Sequence, residues 1–377
     1  MSTDIWILGA TGRTGGDVAR RLHAAGASLV LAGRSKARLE TLNAQLGGGH
    51  RMLVGTLDDN LAALAAEPAS PQPLNAHGGA APRVVVNTVG PFADTSLRVA
   101  RACPPGTHYL DIANEFSAVD DILRLDRQAQ LNSQVLVTGA GFGVLGTESA
   151  ALRARADRPR PTRVRVDALA SLALNDGRVG AALAGSIVEV LEFGGREVRE
   201  GRLVRSRTGE HPLRLVTPDG DELNTGGGAS GELLSAWRAT DADTVIAAST
   251  AAPTGAVLRR LVLPVLSAVI RMPGMHSFVS ARIARVKLHA GPMARRSSWG
   301  HAVAEWNSGE SREVWLRVGD GGVFTADVMT EVALRLARGE GRPGAHTPGA
   351  LFGTELAESL GGEYLVTESA PSTASAR

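Results

Sequence analysis

The apolar run at residues 5–8 ends on Gly9-Ala10-Thr11-Gly12-Arg13-Thr14-Gly15-Gly16. Behind it Val18, Leu22 and Ala25 recur at helical spacing, while Arg20, Arg21 and His23 fall on the other side. No other feature restricts the fold so tightly. A strand that stops at a glycine turn and gives way at once to an amphipathic helix is the first half of a βαβ unit. The β-rich run at 28–32 supplies the second strand.

The alternation continues along the chain. Strands are predicted at 4–8, 28–32, 50–55, 83–88, 107–112 and 134–138, with a short helix at 61–66. A Pro/Ala/Gly-rich stretch at 68–82 cannot supply a packed face and reads as a surface insertion. This order predicts an α/β fold over residues 1–145, a Rossmann-type doubly wound parallel sheet with helices on both faces. Beyond it the pattern loosens. Strands at 163–174, 202–206, 213–216, 244–249, 301–306 and 313–318, with helices at 181–193, 231–238, 256–270 and 325–338, predict a second, α+β domain over 146–324. The clearest hairpin joins 301–306 to 313–318 through Asn307-Ser308-Gly309-Glu310. A length of 377 residues, at about 150 per domain, agrees with two domains. The small polar residues 369–377 are expected to fray.

Unpaired main-chain N–H groups at the start of the first helix suit a dinucleotide pyrophosphate. In the spacing GxxGxxG, Gly9 permits the tight turn, Gly12 removes a side chain that would bar the phosphates, and Gly15 lets helix and strand approach. The candidate cofactor-binding residues are therefore Gly9, Ala10, Thr11, Gly12, Arg13, Thr14 and Gly15; a purely structural glycine turn is the alternative.

The second strand ends Leu31-Ala32-Gly33-Arg34-Ser35-Lys36, without the acid that accepts from a ribose 2′-hydroxyl. Arg34 can fork onto a 2′-phosphate, Ser35 can donate to it, and Lys36 or Arg38 adds charge, so this strand end favours NADP(H) over NAD(H). Cations at a helix start oppose its dipole unless an anion lies near. After the fourth strand, Asn87-Thr88-Val89-Gly90-Pro91-Phe92 puts a Gly-Pro turn at the carboxyl edge of the sheet. Thr88, Val89, Gly90 and Pro91 are candidates for a backbone wall beside the cofactor, or form an ordinary strand-to-helix connection. Asp58 and Asp59 are expected mainly to cap the helix that follows.

Composition narrows the partners. Forty Lys and Arg against 38 Asp and Glu leave a formal charge of +2, and 5 Trp, 2 Tyr and 7 Phe are few for base stacking, so no nucleic acid is expected. The single cysteine, Cys103, rules out an intramolecular disulfide framework or Cys-rich zinc module and fits a reducing compartment. With no leader pattern at the first apolar run, the cytoplasm is the expected location. The longest apolar run, 261–270, is broken by Pro264 and falls short of the ~20 residues a spanning helix needs. The stretch 256–270 could line a pocket for a lipophilic chain, touch a membrane surface through Arg259, Arg260 and Arg271, or simply be a packed helix. No HExxH or paired-Cys spacing occurs, so no metal is expected. No GxSxG elbow supports hydrolysis.

Four motifs stand in order: GATGRTGG at 9–16, AGRS at 32–35, NTVGPF at 87–92 and YLDIANE at 109–115. With them the sequence resembles the saccharopine dehydrogenase-like oxidoreductases, and within these it looks similar to the bacterial branch that includes the trans-acting enoyl reductases. The resemblance continues through Gly139-Ala140-Gly141-Phe142-Gly143 and returns at Thr347-Pro348-Gly349-Ala350 and Phe352-Gly353. It implies a Rossmann NADP domain, an inserted substrate domain, and a C-terminal segment, 325–368, that returns to the first domain. Where the family commonly has Gly-Glu after the fifth strand, this chain has Asn114-Glu115. Relatives act on C–N bonds, on C=C bonds or on unknown substrates, so the resemblance does not fix the reaction.

The Tyr and Lys four apart of short-chain dehydrogenases are absent, because Tyr109 meets Ala113 and Tyr364 meets Glu368 at that spacing. Tyr109, Asp111 and Glu115 lie around the end of the fifth strand, where a nicotinamide is expected. Tyr109 and Asp111 are the candidate catalytic pair; hydrogen bonding that fixes the loop is the alternative. His289 and His301, isolated in sequence, read as surface or packing residues. The leading expectation is an NADPH-dependent reductase delivering hydride to a C=C or C=N bond of an apolar small-molecule or carrier-bound substrate, with a homodimer left open. A catalytically silent NADP-binding sensor or scaffold and an amine dehydrogenase are the alternatives.

Overall fold

The structure is a computed structural model, and it describes residues 4–67, 82–173, 194–252, 275–288 and 295–369, with 177–178, 188, 255, 269–270 and 272. Residues 68–81, nearly all of the helices expected at 181–193 and 256–270, and residues 370–377 of the tail lie outside the described residues.

The opening elements are β1 (Asp4–Leu8), α1 (Arg13–Ala24), β2 (Ser28–Gly33), α2 (Lys36–Gln45), β3 (Arg51–Val54), α3 (Leu57–Ala66), β4 (Val84–Asn87), α4 (Phe92–Ala102), β5 (His108–Asp111) and β6 (Val135–Val137). Then come β7 (Arg163–Leu169), β8 (Gly177–Arg178), β9 (Gly195–Arg199), β10 (Arg202–Ser206), β11 (Leu213–Val216), β12 (Glu222–Gly227) and β13 (Thr244–Ser249). They are followed by β14 (Lys287–Leu288), β15 (Ser298–Glu305), β16 (Ser311–Val318), β17 (Gly344–His346) and β18 (Glu363–Ser369). The chain divides into two compact units, one of Met1–Ala113, Ser117–Gly141 and Thr325–Leu351, the other of Asn114–Phe116, Phe142–Phe324 and Phe352–Arg377.

The first unit carries a seven-stranded sheet in the order β17-β6-β5-β4-β1-β2-β3, parallel throughout. This is the Rossmann-type sheet that the alternating pattern predicts. Ile5, Trp6, Ile7 and Leu8 are all at most 1% exposed, because a central strand of a sheet covered on both faces has no wet side. Strand order reverses between β1 and β4, and the register aligns Leu8 with Asn87 and Asn87 with Asp111. The carboxyl ends of β1, β4 and β5 therefore finish level at the switch point, the edge where such sheets bind ligands. In α1, Val18 and Leu22 are buried as expected, whereas Ala25 is an exposed C-cap residue. Arg21 does not face solvent freely: its Nε donates to Asp327 at 2.6 Å.

The second unit holds a nine-stranded mixed sheet, β10-β9-β13-β7-β15-β16-β18, with β11 and β12 paired beside β13. β13 and β7 run parallel, and the hairpin β15–β16 is antiparallel as expected, its strands beginning three and two residues earlier than the sequence suggests. The strand expected at 163–174 stops at Leu169. The C-terminal expectation needs correction. Thr325–Leu351 belong to the first unit, where β17 pairs with β6, but β18 pairs with β16 in the second sheet, so 352–368 does not return to the first unit. β18 takes the edge of that sheet beside β16, and Ser369, counted with the tail, is the last residue of that strand.

Candidate functional site

The glycine turn leaves the start of α1 without a side-chain cap. Gly9 sits at φ +81°, a backbone shape that penalises a side chain, and the N–H groups of Gly9 and Ala10 both donate to the Ala32 carbonyl, at 3.0 and 3.1 Å. Gly12 is the exposed N-cap of α1, and no side chain caps the helix. The first intrahelical bond runs from Gly16 N to Gly12 O at 2.9 Å, so the amides of Arg13, Thr14 and Gly15 have no acceptor within the helix. Gly15 is fixed by space: a Cβ there would lie 2.3 Å from the Gly9 carbonyl oxygen and 2.7 Å from Thr88 Oγ1. The main-chain cradle fits a diphosphate, which needs an N-terminus free of protein acceptors.

At the end of β2, Arg34 is exposed and its side chain makes no ion pair or hydrogen bond with another described residue. Its neighbours are engaged. Ser35 caps α2 by accepting from the Arg38 N–H at 3.4 Å, which leaves its own O–H free to donate. Lys36 pairs with Glu40 at 3.8 Å, and Arg38 Nη2 donates to the Thr11 carbonyl at 2.6 Å. The charge left for a ligand is thus concentrated on Arg34. Asp59 closes a capping box with Thr56 at the start of α3, and Asp58 pairs with Arg98.

Thr88 follows β4, and its hydroxyl donates to the Leu8 carbonyl at 2.7 Å. Thr88 Oγ1 and Val89 Cγ2 come within 2.8 and 3.1 Å of where a Gly9 Cβ would stand, so both residues wall the turn. Gly90 and Pro91, joined by a cis peptide bond, are half-buried at the same sheet edge, and Pro91 is the N-cap of α4.

Tyr109 and Asp111 share one face of β5, and both are 0% exposed. Asp111 Oδ2 accepts from Tyr109 OH at 2.7 Å and Ser96 Oγ at 2.8 Å. Its Oδ1 accepts from Thr138 Oγ1 at 2.8 Å and from the N–H groups of Ala113 and Gly139, each at 3.0 Å. Asn87 Nδ2 donates to Tyr109 OH at 3.3 Å. Burial first, and then the neighbouring Asp111 carboxylate, hold the Tyr109 phenol well above its ordinary range. This arrangement ties the ends of β4, β5 and β6 together through hydrogen bonds to both side chains. Glu115 is buried, its Oε2 accepting from Asn114 N at 3.1 Å. Ser96, inside α4, and Thr138, just past β6, complete the network; only Thr138, a hydroxyl residue directly after a predicted strand, had a signal in the sequence.

His301 is not isolated in the fold. It is 1% exposed, with Nδ1 3.0 Å from Asp167 Oδ2 and Nε2 3.0 Å from Glu313 Oε1. Arg165 Nη2 and Thr225 Oγ1 donate to Asp167 Oδ1 at 2.9 and 2.6 Å. Burial alone would lower the His301 pKa, but the two carboxylates outweigh it and raise it. Burial would likewise raise Asp167; hydrogen bonds and charge from His301 and Arg165 instead bring it to about 2. His289 lies outside the described residues.

No family model matches the sequence, and no curated protein matches it. Solved structures do. The apo, histidine-tagged saccharopine dehydrogenase (L-Glu forming) from Saccharomyces cerevisiae aligns with TM-score 0.57 at 11% identity, covering 98% of this chain and 100% of that one. An oxidoreductase domain protein from Kribbella flavida aligns with TM-score 0.43 at 11% identity over 96% of each chain. A probable dehydrogenase from Thermotoga maritima gives 0.42 at 10% over 94% of this chain and 93% of that one. The first likeness establishes the fold, a Rossmann-type sheet with a second, mixed-sheet unit. The two lower scores carry no weight.

Proposed function

We propose that this protein is an NADPH-dependent oxidoreductase that passes hydride to a C=C or C=N bond of an apolar substrate, free or carrier-bound. The observation that carries the reading is the pairing of an uncapped, glycine-lined helix start with Arg34, which at the end of the next strand has no side-chain partner among the described residues. The amides of Arg13, Thr14 and Gly15 would hold the diphosphate, and Arg34 with the Ser35 hydroxyl would hold the 2′-phosphate. A nicotinamide so bound supplies the hydride. Tyr109 and Asp111 act in this reading as positioning residues that hold the strand ends level. The saccharopine dehydrogenase-like resemblance supports oxidoreductase chemistry and leaves the bond to experiment.

Titration of the purified protein with NADPH and NADH, followed by nucleotide fluorescence, tests the reading. NADPH should bind at least tenfold more tightly, and oxidation with an enoyl or imine panel should follow. Equal affinities would remove the case for phosphate recognition. Binding without turnover would favour a sensor, and amino-acid-dependent NADP⁺ reduction would favour an amine dehydrogenase.

A further inference from the structure

β18 borders the second sheet, and among the described residues no strand pairs with its outer edge. Its pairing is unbroken: Glu363 to Ser369 oppose Arg317 to Ser311 of β16 residue for residue, without a bulge. All of these residues but Tyr364 are exposed, Leu365 by 46% and Val366 by 47%. Natural sheets protect such an edge with lysine or arginine, proline, a bulge or a very short strand, because its unpaired N–H and C=O groups otherwise collect another strand. β18 has none of these features.

The opposite edge of the same sheet is defended. β10 exposes Arg202 and Arg205, which stand directly across from Arg199 and Arg196 of β9, so a second basic strand approaching it meets like charge. The negative charge of β18, in contrast, is balanced within the chain. Glu363 pairs with Arg317, and Glu368 pairs with both Arg158 and Arg312 at 2.9 Å.

We propose that β18 is the dimer interface of this protein, pairing antiparallel with β18 of a second copy about a twofold axis at Val366, so that one sheet runs through both copies. That register uses the whole strand: Val366 opposes itself, Leu365 opposes Thr367, Tyr364 opposes Glu368, and Glu363 opposes Ser369 of the second copy. It is also complementary in charge. Glu363 and Glu368 fall on opposite faces of the strand, so neither meets the other across the axis. Glu368 instead faces Tyr364 of the second copy, a residue whose ring carries the Arg153 guanidinium 5.2 Å from its centroid. Each end of the pairing thus brings an acid to a cation, and the two exposed apolar residues lie at its centre. Every residue that the pairing uses belongs to the second unit.

Sedimentation velocity over a concentration series should show a monomer–dimer equilibrium and nothing larger. Val366→Lys sets two ammonium groups against each other at the axis and should abolish the dimer. Its circular dichroism and thermal midpoint should stay those of the wild type, because the side chain is exposed. Val366→Cys reads the register: its two sulfurs face each other at a Cα separation of ~4.5 to 5.5 Å, within reach of a disulfide, so mild oxidation should give a covalent dimer. Cys103, the other thiol, is buried and does not link copies. Leu365→Cys, set off from the axis, should crosslink about tenfold more slowly. A wild type that stays monomeric throughout the series, dimers that survive V366K, or faster crosslinking through L365C than V366C would each overturn the proposal. So would assemblies larger than a dimer that Arg202→Glu dissolves, the mark of β18 joining β10 of the next copy.

Discussion

Arg38 reaches back from the first turn of α2 to donate from Nη2 to the Thr11 carbonyl at 2.6 Å, so the residues after β2 hold the glycine turn after β1. Arg38→Ala removes a charge-assisted bond at an exposed site. NADPH affinity should fall by about 1 kcal/mol with little change in thermal midpoint, read by fluorescence titration and scanning calorimetry.

Among the described residues Arg34 has no such side-chain partner. Arg34→Ala should weaken NADPH by ~1 to 3 kcal/mol and leave NADH unchanged, as expected when a charged hydrogen bond to a phosphate is lost. A parallel loss for both nucleotides would place Arg34 at the diphosphate instead.

Gly15 and Gly16 make an internal comparison. A Cβ on Gly15 meets the Gly9 carbonyl oxygen at 2.3 Å, whereas one on Gly16 meets nothing nearer than Ala10 O at 3.5 Å. Gly15→Ala must displace backbone and should lose at least about tenfold in NADPH binding with ~1 to 3 kcal/mol of stability. Gly16→Ala should stay within about 1 kcal/mol of wild type in urea unfolding.

Asp111 collects five hydrogen bonds in a dry site. Asp111→Ala strands those donors and should cost about 3 kcal/mol or more, while Tyr109→Phe should cost about 1 kcal/mol. If Tyr109 only positions the loop, Y109F retains most of kcat; a loss above about 100-fold would return it to the chemistry.

The Asp167–His301–Glu313 cluster contributes to the pH dependence of stability on both sides of neutrality. His301 has a raised folded pKa, so its contribution is complete below its ordinary 6.5 and is lost as pH rises through the folded value. Asp167, lowered from 3.8 to about 2, contributes above 3.8 and loses that contribution as pH falls toward 2, worth about 2 kcal/mol. Urea unfolding across pH should therefore show a decline above pH 6.5 that His301→Leu abolishes, and an acid-side decline that Asp167→Asn reduces.

Local pattern made the first unit readable. β1 matches its expected span, and the other five early strands fall within a residue or two of theirs, because each is an apolar run bounded by turn residues. Long-range pairing was not readable. His301 looked solitary because Asp167 lies 134 positions away, and β18 carries two exposed apolar residues, Leu365 and Val366, with no clean alternation to announce a strand. The candidate cofactor residues of the glycine turn follow from spacing alone.

The edge strands β17 and β18 have a consequence for the order of folding. β17 borders the first sheet and β18, after sixteen intervening residues, borders the second. Each sheet therefore closes only after its edge strand has been synthesised, and the nascent chain must keep the flanks of β6 and β16 unclaimed until then.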